Sequence, residues 1–207
     1  MIQKLRQAML EQELDMLIVV STDEHLNEYL PAQNWRLEAS TSSGSSPGFS
    51  GSAGTAVFCL EGRSQLFVDS RYHIQAEQTS GENFEIQKLG NEGVLNPLEW
   101  IASLSEKALT VGADPYVMSQ KKWRGYENAV VKSGHSFKPT TPNLVDSVWV
   151  NRPNPPRNKI YPLVLKYTGK TSASKLADVR NIMNESAMGK DSKADVLLLT
   201  MLDEIAW

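Results

Sequence analysis

A proline-rich segment, NRPNPPRNKIYP at residues 151–162, is the feature that most constrains the fold. It holds four prolines in twelve residues. Proline fixes φ and lacks a backbone donor, so the segment cannot continue a helix or a central strand and favours an extended linker. We therefore predict one domain over residues 1–150, a linker over 151–169, and the beginning of a second, truncated domain over 170–207.

Short apolar strands alternate with amphipathic helices before this linker. The first residues place four apolar side chains on one helical face: Ile2, Leu5, Met9 and Leu10. The same reasoning predicts strands at 15–22, 55–60, 64–69, 84–89 and 109–115, and helices at 1–13, 70–80, 97–108 and 119–134. Residues 136–150 begin as a strand and end as a short apolar segment, and EASTSS at 38–43 has weak strand character. The alternation is typical of an α/β fold.

The chain after the linker resembles its own beginning. Both parts run through a helix and an apolar strand to an Asp-Glu pair, and six residues separate Leu17 from Asp23 and Leu197 from Asp203. Helix-then-strand recurs in any α/β chain, but the shared register favours a second copy of the first module. We predict a helix at 170–189 and a strand at 195–200.

This second copy is too short to bury a sheet face. The chain is therefore expected either to be a fragment of a longer protein or to pack its last element back on the first domain. A strand without a sheet has unpaired backbone groups, so we expect concentration-dependent self-association.

Composition excludes several classes of protein. The formal net charge is −3, the pI is about 5.7, and no basic run is present, so nucleic acid is not an expected partner. No apolar run is long enough to cross a bilayer and no secretory signal opens the sequence, which predicts a cytoplasmic protein without membrane attachment. The single cysteine, Cys59, lies in the apolar run TAVFCL and is interpreted as a small buried hydrophobe.

A glycine- and serine-rich stretch, SGSSPGFSGSAGTAVF at 43–58, has three possible interpretations. A phosphate loop is disfavoured because the stretch leads into a strand and lacks a Gly-Lys-Ser/Thr ending. GSSPG matches a nucleophile elbow at Ser46, but that turn needs a strand before it and a helix after it, and Pro47 removes an oxyanion donor. His73 or His135 would have to complete such a site, and we regard the match as accidental. A solvent-exposed loop with a sharp entry into the sheet is favoured.

No metal or catalytic site follows from the residues alone. The three histidines are scattered and form no His-Glu-x-x-His arrangement: His25, His73 and His135. A hard cation would require the fold to gather four acids: Asp23, Glu24, Glu28 and Glu38. In VDSRY, Asp69 is predicted to cap the next helix while Arg71 pairs with a carboxylate. Trp35 and Arg36 are placed in a loop, where exposed Trp-Arg pairs are common contact residues.

Five segments, in order, resemble the N-terminal region of Xaa-Pro aminopeptidases (aminopeptidase P) of the creatinase and prolidase superfamily. They are GFSGSAGTAVF, LFVDSRYHIQAEQ, VGADPYVMSQKKW, LVDSVWVNRP and LLLTMLDEIAW. The resemblance implies a creatinase N-terminal-type, ribonuclease-H-like domain: a mixed sheet flanked by helices, two of them in tandem before a catalytic "pita-bread" domain. This chain departs from the family by an apparent insertion of a few residues around 42–47.

The resemblance also implies what these residues would and would not do. In the family, the catalytic domain holds two divalent ions, usually manganese, through two aspartates, one histidine and two glutamates, and removes the first residue of peptides with proline second. We expect no catalytic residue, metal ligand or cofactor in this chain, and Asp203 and Glu204 belong to the tandem-domain motif. Arg36 is predicted to contact the substrate from this domain. A homodimer is expected.

Two hypotheses follow for the function. The first is a non-catalytic N-terminal fragment of a cytosolic, metal-dependent Xaa-Pro aminopeptidase that shapes substrate access and dimerisation, inactive on its own. The second is a stand-alone binding module of the same fold. The coding sequence beyond Trp207 discriminates between them, and a serine hydrolase built on Ser46 is a third, weaker interpretation.

Overall fold

The computed structural model of the chain describes residues 1–44, 46–104, 106–184 and 194–207. The chain divides into two compact units, Met1–Pro155 and Pro156–Trp207. The predicted domain and linker bounds stay a prediction.

Unit 1 alternates helices and strands. Its strands are β1 (Met16–Val20), β2 (Gly54–Cys59), β3 (Ser64–Val68), β4 (Phe84–Lys88), β5 (Thr110–Ala113) and β6 (Ser136–Pro139). Its α-helices are α1 (Ile2–Glu11), α2 (Arg36–Thr41), α3 (His73–Thr79), α4 (Pro97–Ser103), α5 (Gln120–Lys132) and α6 (Leu144–Val148). Short 3₁₀ helices lie at Ala32–Asn34, Ser70–Tyr72 and Pro115–Val117.

The six strands form one mixed sheet in the order β4-β3-β2-β1-β5-β6. β2 runs antiparallel to β1 and β3, whereas β1 with β5, β5 with β6, and β3 with β4 are parallel pairs. The carboxyl ends of five strands therefore meet the start of β2 at one edge of the sheet, called the carboxyl edge below. This mixed sheet with flanking helices confirms the predicted fold class.

The sheet is buried on both faces. Every residue of β1 is buried, and its side chains alternate between two clusters. Leu17 and Val19 pack with α1 and Phe58, while Met16, Ile18 and Val20 pack with Tyr126 of α5. A strand covered on both sides needs apolar residues at every position, which is why MLIVV is a continuous apolar run.

Two short elements of unit 1 differ from the sequence expectation. Residues 38–43 are not a weak strand, because α2 runs through Thr41. The hydroxyls of Ser40 and Thr41 donate to the carbonyl of Leu37 at 3.1 and 2.8 Å, so these two residues, which do not favour helix interiors, are accommodated in a helical turn. α4 begins at the predicted Pro97 after a capping box on Asn96 and ends earlier than predicted, at Ser103.

Unit 2 contains α7 (Leu165–Thr168), α8 (Ser172–Asn184) and α9 (Leu202–Ala206), and its first residues, 156–164, adopt neither helix nor strand. The predicted helix at 170–189 is confirmed as far as Asn184, and 185–189 lie outside the described residues. The predicted strand at 195–200 is wrong, because this segment pairs with no strand in the described part of unit 2. A strand exists only with a hydrogen-bonded neighbour, and Leu197 and Leu198 stay exposed instead.

Across the described ranges, no helix combines the length and the apolar character needed to cross a membrane.

Candidate functional site

A cleft of about 370 Å³ opens at the carboxyl edge of the sheet in unit 1. One wall comes from the segment between β1 and α2 together with the first turn of α2, and the other from residues 49–52, just before β2. Its lining includes two acids, three aromatic residues and a serine: Glu28, Glu38, Tyr29, Trp35, Phe49 and Ser52. We call this cleft the edge cleft. Ligands of open α/β sheets bind outside the carboxyl ends of the strands, so this is the first place to look for a site.

Phe49 explains the conformation of the glycine- and serine-rich stretch. Its side chain is fully buried, its ring meets that of Tyr72 edge-on at 5.6 Å, and its backbone N–H donates to Thr41 Oγ1 at 2.8 Å. Gly48 has φ +96°, and a Cβ there would lie 2.1 Å from the carbonyl oxygen of Glu38. The expectation of a solvent-exposed loop is therefore wrong at Gly48 and Phe49, which pack against α2 and form the base of the cleft.

Two carboxylates line the cleft, and they differ in their hydrogen-bond partners. Glu28 Oε1 accepts a hydrogen bond from Ser52 Oγ at 3.1 Å, and Ser52 Oγ also lies 3.0 Å from the hydroxyl of Tyr72. Within the described ranges, no residue donates a hydrogen bond to the carboxylate of Glu38 or forms an ion pair with it. Burial alone raises the pKa of Glu38. Glu38 is thus a half-buried anion without a cation.

Aromatic surface completes the cleft. Tyr29 is 84% exposed and Trp35 is 45% exposed, although both are large and partly apolar. The indole N–H of Trp35 donates to the carbonyl of Leu30 at 2.8 Å, which fixes the ring in place. Exposed aromatic rings held beside carboxylates are typical of a binding surface.

Arg36 lies beside the cleft but is bound to acids within the fold. Its Nε and Nη2 donate to Asp146 at 2.8 and 3.0 Å, and Nη2 also donates to Glu24 at 2.7 Å. Arg152 adds a 2.8 Å ion pair to Asp146. Although burial lowers the pKa of Arg36, the hydrogen bonds to Asp146 and Glu24 outweigh it and raise that pKa. The predicted loop position is wrong, since Arg36 is the first residue of α2, and the predicted substrate contact stays a prediction.

The four acids considered as cation ligands are not gathered. Asp23 is buried and accepts hydrogen bonds from the backbone of His25, from the backbone and side chain of Asn27, and from Asn34, at 2.9–3.1 Å. Burial raises the pKa of Asp23, but these donors outweigh it and lower that pKa. Within the part of the chain that the structure describes, no three His, Cys, Asp or Glu residues could hold a metal ion together.

Ser46 does not have the surroundings of a catalytic serine. Its hydroxyl donates to the carbonyl of Thr79, and its backbone pairs with Ser43 in a tight turn. The turn follows helix α2 and precedes strand β2, which is the reverse of a nucleophile elbow. The buried His135 Nδ1 accepts from the backbone N–H of Leu109 at 3.2 Å. His73 begins α3.

Two smaller predictions are confirmed. Asp69 accepts a hydrogen bond from the backbone of Arg71 at 3.0 Å and caps the turn that leads into α3, while the guanidinium of Arg71 binds the same carboxylate at 2.8 and 3.0 Å. Cys59 is buried at the end of β2. Burial raises the pKa of Cys59 to about 11, against an opposing effect of Arg6.

The sequence pattern does not predict the edge cleft. Residues 28–38 and 49–52 each look like loop, and only the burial of Phe49 brings them together. From the sequence, Glu28 and Glu38 are candidates only as cation ligands, and no pattern singles out Tyr29. A long apolar side chain inside a Gly-Ser stretch, such as Phe49, is the one local signal that this stretch packs.

The architecture is that of a mixed-sheet α/β domain found in proline-specific aminopeptidases. A crystal structure of X-prolyl aminopeptidase from Caenorhabditis elegans, described as a cytosolic enzyme with a di-nuclear active site, matches with a TM-score of 0.80 and 25% identity. The match covers 94% of this chain and 30% of that one. The chain belongs to the Creatinase/Prolidase N-terminal domain family, which matches residues 1–148, and a second family of the same description matches 151–207. The predicted resemblance is confirmed.

Curated relatives agree with this assignment. A probable Xaa-Pro aminopeptidase P from Neosartorya fischeri is 37% identical over 205 residues, covering 99% of this chain and 29% of the relative. A probable Xaa-Pro aminopeptidase P from Sordaria macrospora is 38% identical, covering 98% of this chain and 31% of the relative. The chain therefore spans just under one third of the length of these relatives.

Proposed function

We propose that this chain is the non-catalytic N-terminal portion of a cytoplasmic Xaa-Pro aminopeptidase. The observation that carries the proposal is the match to probable Xaa-Pro aminopeptidases P across 98–99% of the chain. The parent enzyme removes the first residue of peptides that have proline second. The 207 residues supply scaffold and binding surface, and bond cleavage belongs to a separate catalytic domain.

The proposed role of the chain is to shape access of the peptide to that domain. The edge cleft supports this role, because it is concave, partly aromatic and placed where α/β sheets bind ligands. Arg36 contributes on the substrate side through its position next to Trp35 and at the start of α2. Its pairs with Glu24 and Asp146 hold that helix start beside the cleft.

The cofactor of the proposed parent is a pair of divalent ions, manganese in the first instance, bound in the catalytic domain. The residues described here do not fit such a pair, since they offer no cluster of three metal donors. No step of the reaction is therefore assigned to side chains of this chain.

A peptidase assay tests the proposal. The purified chain is incubated with Arg-Pro-Pro, with and without Mn²⁺, beside an active Xaa-Pro aminopeptidase as positive control, and release of arginine is followed. We expect no release by the chain under either condition. Cleavage that depends on proline in the second position, by the chain alone, would overturn the proposal.

The coding sequence beyond Trp207 gives an independent test. We expect it to continue and to encode two aspartates, one histidine and two glutamates at metal-binding spacing. A stop codon directly after Trp207 would instead favour a stand-alone binding module of the same fold.

We also propose that the protein forms a homodimer. Sedimentation equilibrium over a hundredfold range of concentration is expected to show a dimer at the upper end. A strict monomer throughout would contradict this part of the proposal.

A further inference from the structure

We propose that the edge cleft is a binding site for the guanidinium group of an arginine side chain in a peptide. The inference rests on the proposed function in one respect, which is that the arginine is taken to belong to a peptide. The binding itself requires no catalysis and can be measured on this chain.

The carboxylate of Glu38 gives the first reason. A half-buried anion loses part of its hydration, and proteins normally compensate it with a cation or hydrogen-bond donors. Glu38 has neither among the described residues, and burial by itself raises its pKa. Glu38 lines the cleft, so a cationic ligand bound there would supply the compensating charge.

The two arginines near the cleft do not neutralise its carboxylates. Arg71 interacts with Glu28 electrostatically, but its guanidinium is bound to Asp69 at two points, 2.8 and 3.0 Å. The Arg36 guanidinium is likewise bound to Asp146 and Glu24. Both arginines therefore already have their own acids, and the cleft keeps an excess of negative charge.

The aromatic side chains specify the kind of cation. Trp35 and Tyr29 line the cleft with exposed ring surface, and the Trp35 ring is fixed by its hydrogen bond to Leu30. A guanidinium is planar, stacks on aromatic faces and donates two parallel hydrogen bonds to a carboxylate. Among the described residues no three metal donors come together, so the cleft favours a guanidinium over a metal ion. The volume of about 370 Å³ accommodates a whole arginine side chain.

The test is a titration of the ¹⁵N-labelled 207-residue chain with N-acetylarginine amide, followed by NMR. The indole N–H signal of Trp35 is assigned by its loss in a W35F variant. We expect this signal to shift in a saturable way at millimolar ligand, and to shift less at high salt because screening weakens the ion pair. N-acetylcitrulline amide, which has the same shape without the charge, is expected to give no saturable shift.

Variants locate the site. E38Q is expected to weaken arginine binding by roughly fivefold or more, since it removes the charge-assisted hydrogen bonds. E127Q, an exposed acid on α5 outside the cleft, is the matched control and is expected to bind like the parent chain. Well-dispersed spectra establish that both variants are folded, and E28Q provides a second variant if E38Q does not fold.

Three outcomes would overturn the inference: equal shifts with arginine and citrulline, no saturable shift at all, or unchanged affinity in both E38Q and E28Q. None of these depends on peptide cleavage. Failure of the guanidinium site is therefore distinguishable from failure of the proposed function, which the peptidase assay and the downstream coding sequence decide.

Discussion

Arg36 and Asp146 lie 110 positions apart in the sequence, yet the guanidinium of one binds both carboxylate oxygens of the other at 2.8 and 3.0 Å. The pair joins the start of α2 to α6. The Arg36 side chain is only 5% exposed, so its charge depends on these partners for compensation. The wall of the edge cleft that α2 provides is therefore fixed by a contact far from it in sequence.

Replacing Asp146 by asparagine is expected to lower the free energy of unfolding by about 2–3 kcal/mol. The substitution keeps the shape of the side chain but leaves the buried Arg36 charge with Glu24 as its remaining acid, and Glu24 is itself 44% exposed. Urea unfolding followed by far-UV circular dichroism measures the change.

The control for this prediction is E77Q. Glu77 forms a 2.6 Å pair with Lys88, and both side chains are exposed by a third or more. Breaking such a surface pair is expected to cost less than about 1 kcal/mol. If D146N and E77Q lower the free energy of unfolding equally, the pair between Arg36 and Asp146 stabilises the fold no more than a surface ion pair.

Gly48→Ala is expected to lower the free energy of unfolding by about 2–5 kcal/mol. Gly48 has φ +96°, and the new Cβ would stand 2.1 Å from the carbonyl oxygen of Glu38, so the backbone must move. Gly62→Ala is the matched control, because Gly62 also has positive φ, +73°, but no atom lies within 4 Å of its Cβ position. The control should lose only about 1–2 kcal/mol, the cost of the left-handed backbone. Equal losses in thermal or urea unfolding would show that the close approach to Glu38 is unimportant.

The strands of unit 1 could be predicted because contiguous apolar residues indicate their burial. MLIVV is apolar at every position since both faces of β1 are covered, and this local signal does not depend on the rest of the chain. α2 could not be predicted in the same way. Its first four residues, RLEA, favour a helix, but the element is only six residues long and ends in Ser40 and Thr41. The hydroxyl-to-carbonyl bonds of those two residues, together with the distant Asp146, hold the segment in a helix.

The segment 195–200 is the opposite of α2: the sequence predicts a strand there, and none forms. DVLLLT has the composition of a strand, but a strand needs a hydrogen-bonded neighbour that local composition cannot supply. The sequence does not indicate the edge cleft for a related reason. Its two walls are separate loop segments that meet only through the packing of Phe49, so no spacing within either segment indicates a site.

Cys59 is expected to react slowly with Ellman's reagent while the chain is folded. Burial raises the pKa of this thiol from 9.0 to about 11, so at pH 8 the reactive thiolate is on the order of 100-fold scarcer than in an exposed cysteine. Absorbance at 412 nm after mixing measures the rate, and unfolding in urea is expected to restore rapid reaction. C59A provides the blank. A folded chain that reacts as fast as the unfolded one would contradict the buried position at the end of β2.

Glu38 links stability to the proposed binding of arginine, and its pH dependence has a definite sign. Burial raises the pKa of Glu38 above the ordinary value of 4.5, so the folded chain binds this proton more tightly than the unfolded chain. The charged carboxylate therefore destabilises the fold. The penalty is absent below the pKa of the unfolded chain and complete above the raised pKa of the folded chain.

E38Q is accordingly expected to raise the melting temperature at pH 7 and to leave it unchanged at pH 3, where the native carboxyl is protonated. E127Q, at an exposed acid, should change neither value. Differential scanning calorimetry at the two pH values measures both. A lower melting temperature of E38Q at pH 7 would mean that the carboxylate already has a favourable partner within the fold. The expected combination, a more stable chain that binds arginine more weakly, is what a residue kept for binding rather than for folding should show.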